Sequence, residues 1–174
     1  MAVTHTGITT DDFLKFVADL DHHHHPRFNR LCTELVYQPM IELLSFLRAN
    51  GFQDLHRLRR RHGVHACLHR ARLTHSAGAV VGSSSVVRYQ LRSGDKPVLI
   101  KKGKIEFVDG GPRQPVGINR FIGRRPVFAF GNSDVDHEML EWTAAGTGAR
   151  FMGLVHHTDA AREWVMIGSL ASAG

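Results

Sequence analysis

The chain has 174 residues, 43% of them hydrophobic and 22% charged, with a formal net charge of +6. That composition excludes a collagen-like or wholly disordered chain, and no apolar run reaches the ~18 residues of a membrane span. Two cysteines, Cys32 and Cys67, make no disulfide framework. No basic and then apolar leader opens the sequence, so the default expectation is a cytoplasmic protein.

The charge is local. Residues 54–75 hold Arg57, Arg59, Arg60, Arg61, Arg70 and Arg72 against one acid, Asp54. The rest of the chain is nearly neutral.

In chain order, residues 9–20 predict an amphipathic helix. Thr10 suits the N-cap, Asp11 and Asp12 suit the positive helix start, and Phe13, Phe16, Val17 and Leu20 share a face. Asp21, His22 to His25 and Pro26 read as a loop. Residues 39–50 predict a second helix, with Pro39 in its first turn, Met40, Leu43, Leu44 and Leu47 on one face, and Gly51 at C′. Residues 53–76 are rich in Arg, His and Leu, lack Lys, and keep neither a helical nor a strand period. Strands are expected at 86–92 and 97–108, with turn signals at Ser93-Gly94-Asp95 and Lys102-Gly103. Pro126 to Phe130 and Phe151 to Val155 read as buried strands. A helix with Met139, Leu140 and Trp142 lies between them, and a short helix spans Asp159 to Trp164. Strand, polar loop, helix, strand is the grammar of an α/β sheet with its site at the strand C-termini.

The stretch with chemistry is residues 125–142, RPVFAFGNSDVDHEMLEW. An apolar strand runs into Gly131, then Asn132, Asp134 and Asp136, then a helix. Oxygen donors at that place suit a hard cation such as Mg²⁺. The plainer reading is an acidic cap on the helix after a tight turn.

GNSDVDHEML resembles the fourth motif of the haloacid dehalogenase (HAD) superfamily, in its phosphatase-like members. YQPMIELLSFLRANGF, VVGSS, PVGINRFIGRRPVFAFGNSD and ARFMGLVHHTDAAREW are similar to the same subfamily. The resemblance implies an incomplete Rossmann-like core over residues 39–174 and a remnant of a helical cap over residues 1–38. It implies a Mg²⁺-dependent phosphomonoester hydrolase working on a small phosphorylated substrate through an aspartyl-phosphate. Asn132, Asp134 and Asp136 would be its metal-holding residues.

The chain departs from that pattern. No D-x-D-x-T nucleophile motif occurs; Asp19-Leu20-Asp21 comes nearest and continues His22-His23. The chain is therefore expected to start downstream of the first motif. The phosphate-binding Lys of the third motif is replaced by Gln114, beside Arg113, and a forked guanidinium does not substitute for an ammonium. Val135 stands where the related loops carry Gly. With no catalytic residue in place, the chain is expected to be inactive.

The second motif should follow Phe52 as a buried strand ending in Ser-Gly-Gly. Read one base out, codons compatible with residues 54–73 give TYIVSGGGMEFMRAFTERA, an apolar strand, Ser, three Gly and an amphipathic helix. Residues 54–76 are therefore expected to be an out-of-frame translation, from a sequencing error or a decayed gene. The alternative function is a basic protein using the Arg57–Arg61 cluster on nucleic acid or another polyanion. No aromatic is interleaved there, so nucleic acid is not the favoured partner.

His22 to His25 read as a solvated loop rather than a metal tract. His156 and His157 are adjacent, so on a strand they face opposite sides and do not share one metal. Cys67 lies in the irregular stretch, and neither cysteine has a Cys-His-Asp pattern. Trp142 and Trp164 read as packing residues. Without its first two motifs, the strand at 127–130 is expected to present an apolar open edge.

Overall fold

The computed structural model describes residues 5–20, 29, 31, 36–58, 80–94, 96–156 and 158. The protein is mixed α/β, with four α-helices and six strands among the described residues. The chain divides into two compact units, residues 1–108 and 109–174. The sequence-based expectation is a boundary after residue 38.

The first unit opens on α1, Thr10–Leu20. Its cap is Thr9, one residue before the predicted Thr10. The Thr9 Oγ1 accepts the Asp12 backbone N–H at 3.0 Å and donates to Asp12 Oδ2 at 2.7 Å. This satisfies one donor of the open first turn. Phe13 is buried, whereas Phe16, predicted on the same face, is 43% exposed with the His5 ring 4.5 Å away.

Helix α2, Gln38–Ala49, carries Pro39 in its first turn and buries Leu47. It ends as predicted at Gly51, whose φ is +79°. The Gly51 N–H donates to Arg48 O and the Phe52 N–H to Leu47 O, both at 3.0 Å. These are the two bonds of a Schellman C-cap, and Gly supplies the left-handed residue without a Cβ clash. Arg48 reaches forward to Asp54, with its Nε and Nη2 at 3.0 and 2.8 Å from the carboxylate. The hydrogen bond to Asp54 holds the guanidinium pKa above its ordinary value.

Strand β1, His56–Leu58, pairs in parallel with β2, Val80–Gly82, with His56 opposite Val80. The stretch whose sequence keeps no clean period thus opens on a short strand. Residues 59–79, with Arg59 to Arg61, Cys67, Arg70 and Arg72, lie outside the described residues. So do His22 to His25, Cys32, His157 and the helix expected at Asp159 to Trp164.

Strands β3, Ser84–Arg92, and β4, Lys96–Phe107, form an antiparallel ribbon across a turn where Gly94 has φ +80°. The Lys102-Gly103 turn signal is overridden. Both residues stay inside β4, where the pairing register shifts. A bulge absorbs the extra residues while the ladder continues on either side. On the other side of β4, Lys101 accepts a bond from the Gly7 N–H and donates one to Ile8 O.

The second unit contains α3, Arg113–Ile122; β5, Phe128–Gly131; a 3-10 turn, Asp134–Asp136; α4, His137–Ala144; and β6, Phe151–Leu154. Strands β5 and β6 are parallel, with Phe128 opposite Phe151 and Gly131 opposite Leu154. Ile118 of α3, Ala129 of β5 and Met139 of α4 form the core, with Ile122, Leu140 and Trp142 packed against it. Trp142 is thus a packing residue, as its position predicts, and Arg125 lies over its ring at 4.9 Å.

The two strands are half-buried, not buried. Ala129 faces the helices. Phe128, Phe130 and Phe151 face the other way, with ring centroids 5.5 to 6.5 Å apart. Phe151 is 49% and Leu154 50% exposed. Gly153 is required on this face: a Cβ there would sit 2.5 Å from the Phe130 ring. Among the described residues β5 pairs only with β6, so its other edge has no strand beside it.

No helix among the described residues is long and apolar enough to cross a membrane. Small parallel and antiparallel sheets with helices define the class.

Candidate functional site

The acidic loop follows β5 directly. Strand β6 runs beside β5 to the same end, and the Val155 N–H donates to Gly131 O at 2.8 Å. The loop therefore sits at the carboxyl end of a parallel pair, where open α/β sheets place their ligands.

Gly131 is dictated by close approach. A Cβ on it would fall 2.5 Å from the Asp136 Cβ. The chain can fold Asp136 back over the strand end only because position 131 has no side chain. Asp136 then organises the loop. Its Oδ2 accepts the Asn132 N–H at 3.0 Å, the Ser133 N–H at 3.2 Å and the Ser133 hydroxyl at 3.1 Å. Ser133 and Asp136 form a reciprocal capping box at the start of the 3-10 turn. Val135 needs no positive φ: the described non-Gly residues with positive φ are His5 and Asn29. Glycine is therefore not required at position 135 for this conformation.

Helix α3 delivers the second contact. Gln114 is fully buried, and its Nε2 donates to Asp136 Oδ1 at 3.0 Å. Its Oε1 is buried with no hydrogen-bond partner. Gln114 thereby ties α3 to the acidic loop across 22 residues.

Two further acids were not singled out from the sequence. Asp109 is fully buried at the start of this unit. Glu138, in the first turn of α4, brings its Oε1 to 3.7 Å from where a Cβ on Gly111 would lie. The signal available for Asp109 was the Asp-Gly-Gly-Pro run before α3, which reads only as a turn.

Of the three residues expected to hold Mg²⁺, Asn132 and Asp134 are exposed and Asp136 is half-buried. All three offer hard oxygen donors of the kind Mg²⁺ takes. Asp136 has the least to give. A carboxylate has about four acceptor positions. Its Oδ2 is taken up by three donors and its Oδ1 by the Gln114 amide. Among the described residues no three His, Cys, Asp or Glu side chains gather as a metal-binding group.

His156 is exposed beyond the end of β6. Arg57 is half-buried in β1, opposite Val81.

The chain matches no model of a known protein family and no curated protein.

Proposed function

We propose that the second unit is the cation-holding corner of a phosphoryl-transfer site of the HAD type, built on a Rossmann-like strand–loop–helix, and that the chain is inactive as a phosphatase. The observation that carries this reading is the Gln114–Asp136 bond. A buried side chain on α3 is aimed at the acidic loop, where the resembling hydrolases put a lysine. Asn132, Asp134 and Asp136 would hold a hydrated Mg²⁺ weakly, which would supply positive charge beside a phosphate.

The inactivity follows from what the sequence contains. The covalent route needs a nucleophilic Asp with a second acid two residues on, and D-x-D-x-T does not occur. Phosphoryl transfer also needs fixed positive charge on the equatorial oxygens, and Gln114 carries none. The parent substrate class would be a small phosphate monoester.

Two measurements test the reading. Hydrolysis of p-nitrophenyl phosphate with Mg²⁺ should stay at the buffer rate. In a Mg²⁺ titration, the backbone amides of residues 132–136 should shift together, and Asp134→Asn should weaken the response. Turnover above buffer that is lost in Asp136→Asn would overturn the inactivity. No movement of those amides at millimolar Mg²⁺ would overturn the cation corner.

A further inference from the structure

The β3–β4 ribbon sorts its side chains by face. The register sets Tyr89 opposite Leu99 and Leu91 opposite Pro97 on one face, and Arg92 opposite Lys96 on the other. Alternation puts Arg88 and Gln90 on the Arg92 face, opposite the buried Ile100 and the half-buried Val98. Arg88, Gln90, Arg92 and Lys96 are all exposed. Among the described residues none of the three cations is in an ion pair. Lys102 and Lys104 follow on β4, and residues 84–107 hold six Lys and Arg against Asp95 and Glu106.

The Arg92–Lys96 juxtaposition is the informative one. Directly opposed residues in an antiparallel ladder lie about 4.5–5.5 Å apart at Cα, and like charges there are destabilising. A bound polyanion converts that cost into a gain. Arg88 lies four residues along, about 13 Å. Three cations over that span meet a duplex that carries one phosphate charge per about 1.7 Å of axis.

We infer that this face of the β3–β4 ribbon binds the phosphate backbone of duplex nucleic acid without sequence preference. The arrangement selects among polyanions. An anionic membrane needs apolar and cationic groups turned toward one surface. Here the apolar residues Tyr89 and Leu91, 61% and 52% exposed, point away from the cations, while Val98 and Ile100 on the cation face are half-buried and buried. A single strand needs an aromatic platform among the cations, and the cationic face has none. The inference is independent of the acidic loop and of Arg57 to Arg61.

The test is fluorescence anisotropy of the full chain with a short mixed-sequence DNA duplex, between about 50 and 200 mM KCl. The log–log salt slope should be near −3, about one unit per cation. In the variant Arg88→Gln/Arg92→Gln/Lys96→Gln it should fall by about three units. Circular dichroism matching the parent would show that the exposed substitutions left the fold intact. Four outcomes overturn the inference. They are no duplex binding at the lowest salt, and an unchanged slope in the triple variant. The others are tighter single-strand binding lost in Tyr89→Ser, and tighter binding to phosphatidylserine vesicles lost in Tyr89→Ser/Leu91→Ser.

Discussion

Asp136 carries more of this structure than its exposure suggests. One carboxylate oxygen ties down the two residues after β5, and the other takes the amide of Gln114. Hydrogen bonds to a charged group contribute about 1.5–3 kcal/mol each when buried, less where half-exposed. Asp136→Ala should therefore cost about 2–3 kcal/mol in urea unfolding, and Gln114→Ala about 1–2 kcal/mol. Gly131→Ala should cost about 1–3 kcal/mol, because the new methyl meets the Asp136 Cβ and the loop must move. A value near zero would mean that the loop is not folded back over the strand end. The acidic loop itself is legible in the sequence, since Gly131, Asn132, Asp134 and Asp136 lie within six residues of one another. The Gln114 contact is not. It joins positions 22 residues apart, and only the packing of α3 against β5 and α4 brings them together.

At the scale of elements, local signals read well where they were local. Helices α1, α2 and α4 and strands β3 to β6 follow from apolar spacing and from Gly51 and Gly94. Helix α3 did not announce itself. Pro115 is tolerated because it falls in the first turn, and the buried Gly117 weakens helical propensity. Strand β1 was hidden by its composition, His-Arg-Leu, which has no alternating pattern. Its position is fixed by pairing with β2, from 24 residues away. The Lys102-Gly103 signal failed because ladder bonds on both sides outweigh one flexible pair. Two tests belong here. Thr9→Ala should cost about 1 kcal/mol, whereas Thr10→Ala should cost little, because the cap oxygen is that of Thr9. A double-mutant cycle on Arg48 and Asp54 should give a coupling of about 1 kcal/mol, discounted for the partial exposure of Arg48. Zero coupling would detach the start of the Arg/His stretch from α2.

For the whole molecule, the class is mixed α/β and each unit holds a modest core. Parallel sheets are ordinarily covered on both faces. In the second unit, helices α3 and α4 cover one face of β5–β6, while three phenyl rings and the open β5 edge lie on the other side. Among the described residues β5 pairs with β6 alone. Phe128→Ser/Phe151→Ser should raise the concentration at which the protein scatters light, with little loss of stability, because neither ring is in the core. If light scattering is unchanged, something else limits solubility.

That partly exposed phenyl face has a consequence inside a cell. Quality-control machinery identifies unfinished proteins by exposed aromatic rings and unpaired strand edges, and a folded molecule bearing both carries the same label. Its abundance would then follow the rate at which it is captured rather than its free energy of unfolding. Two variants of equal stability, one with the rings and one without, would differ in half-life.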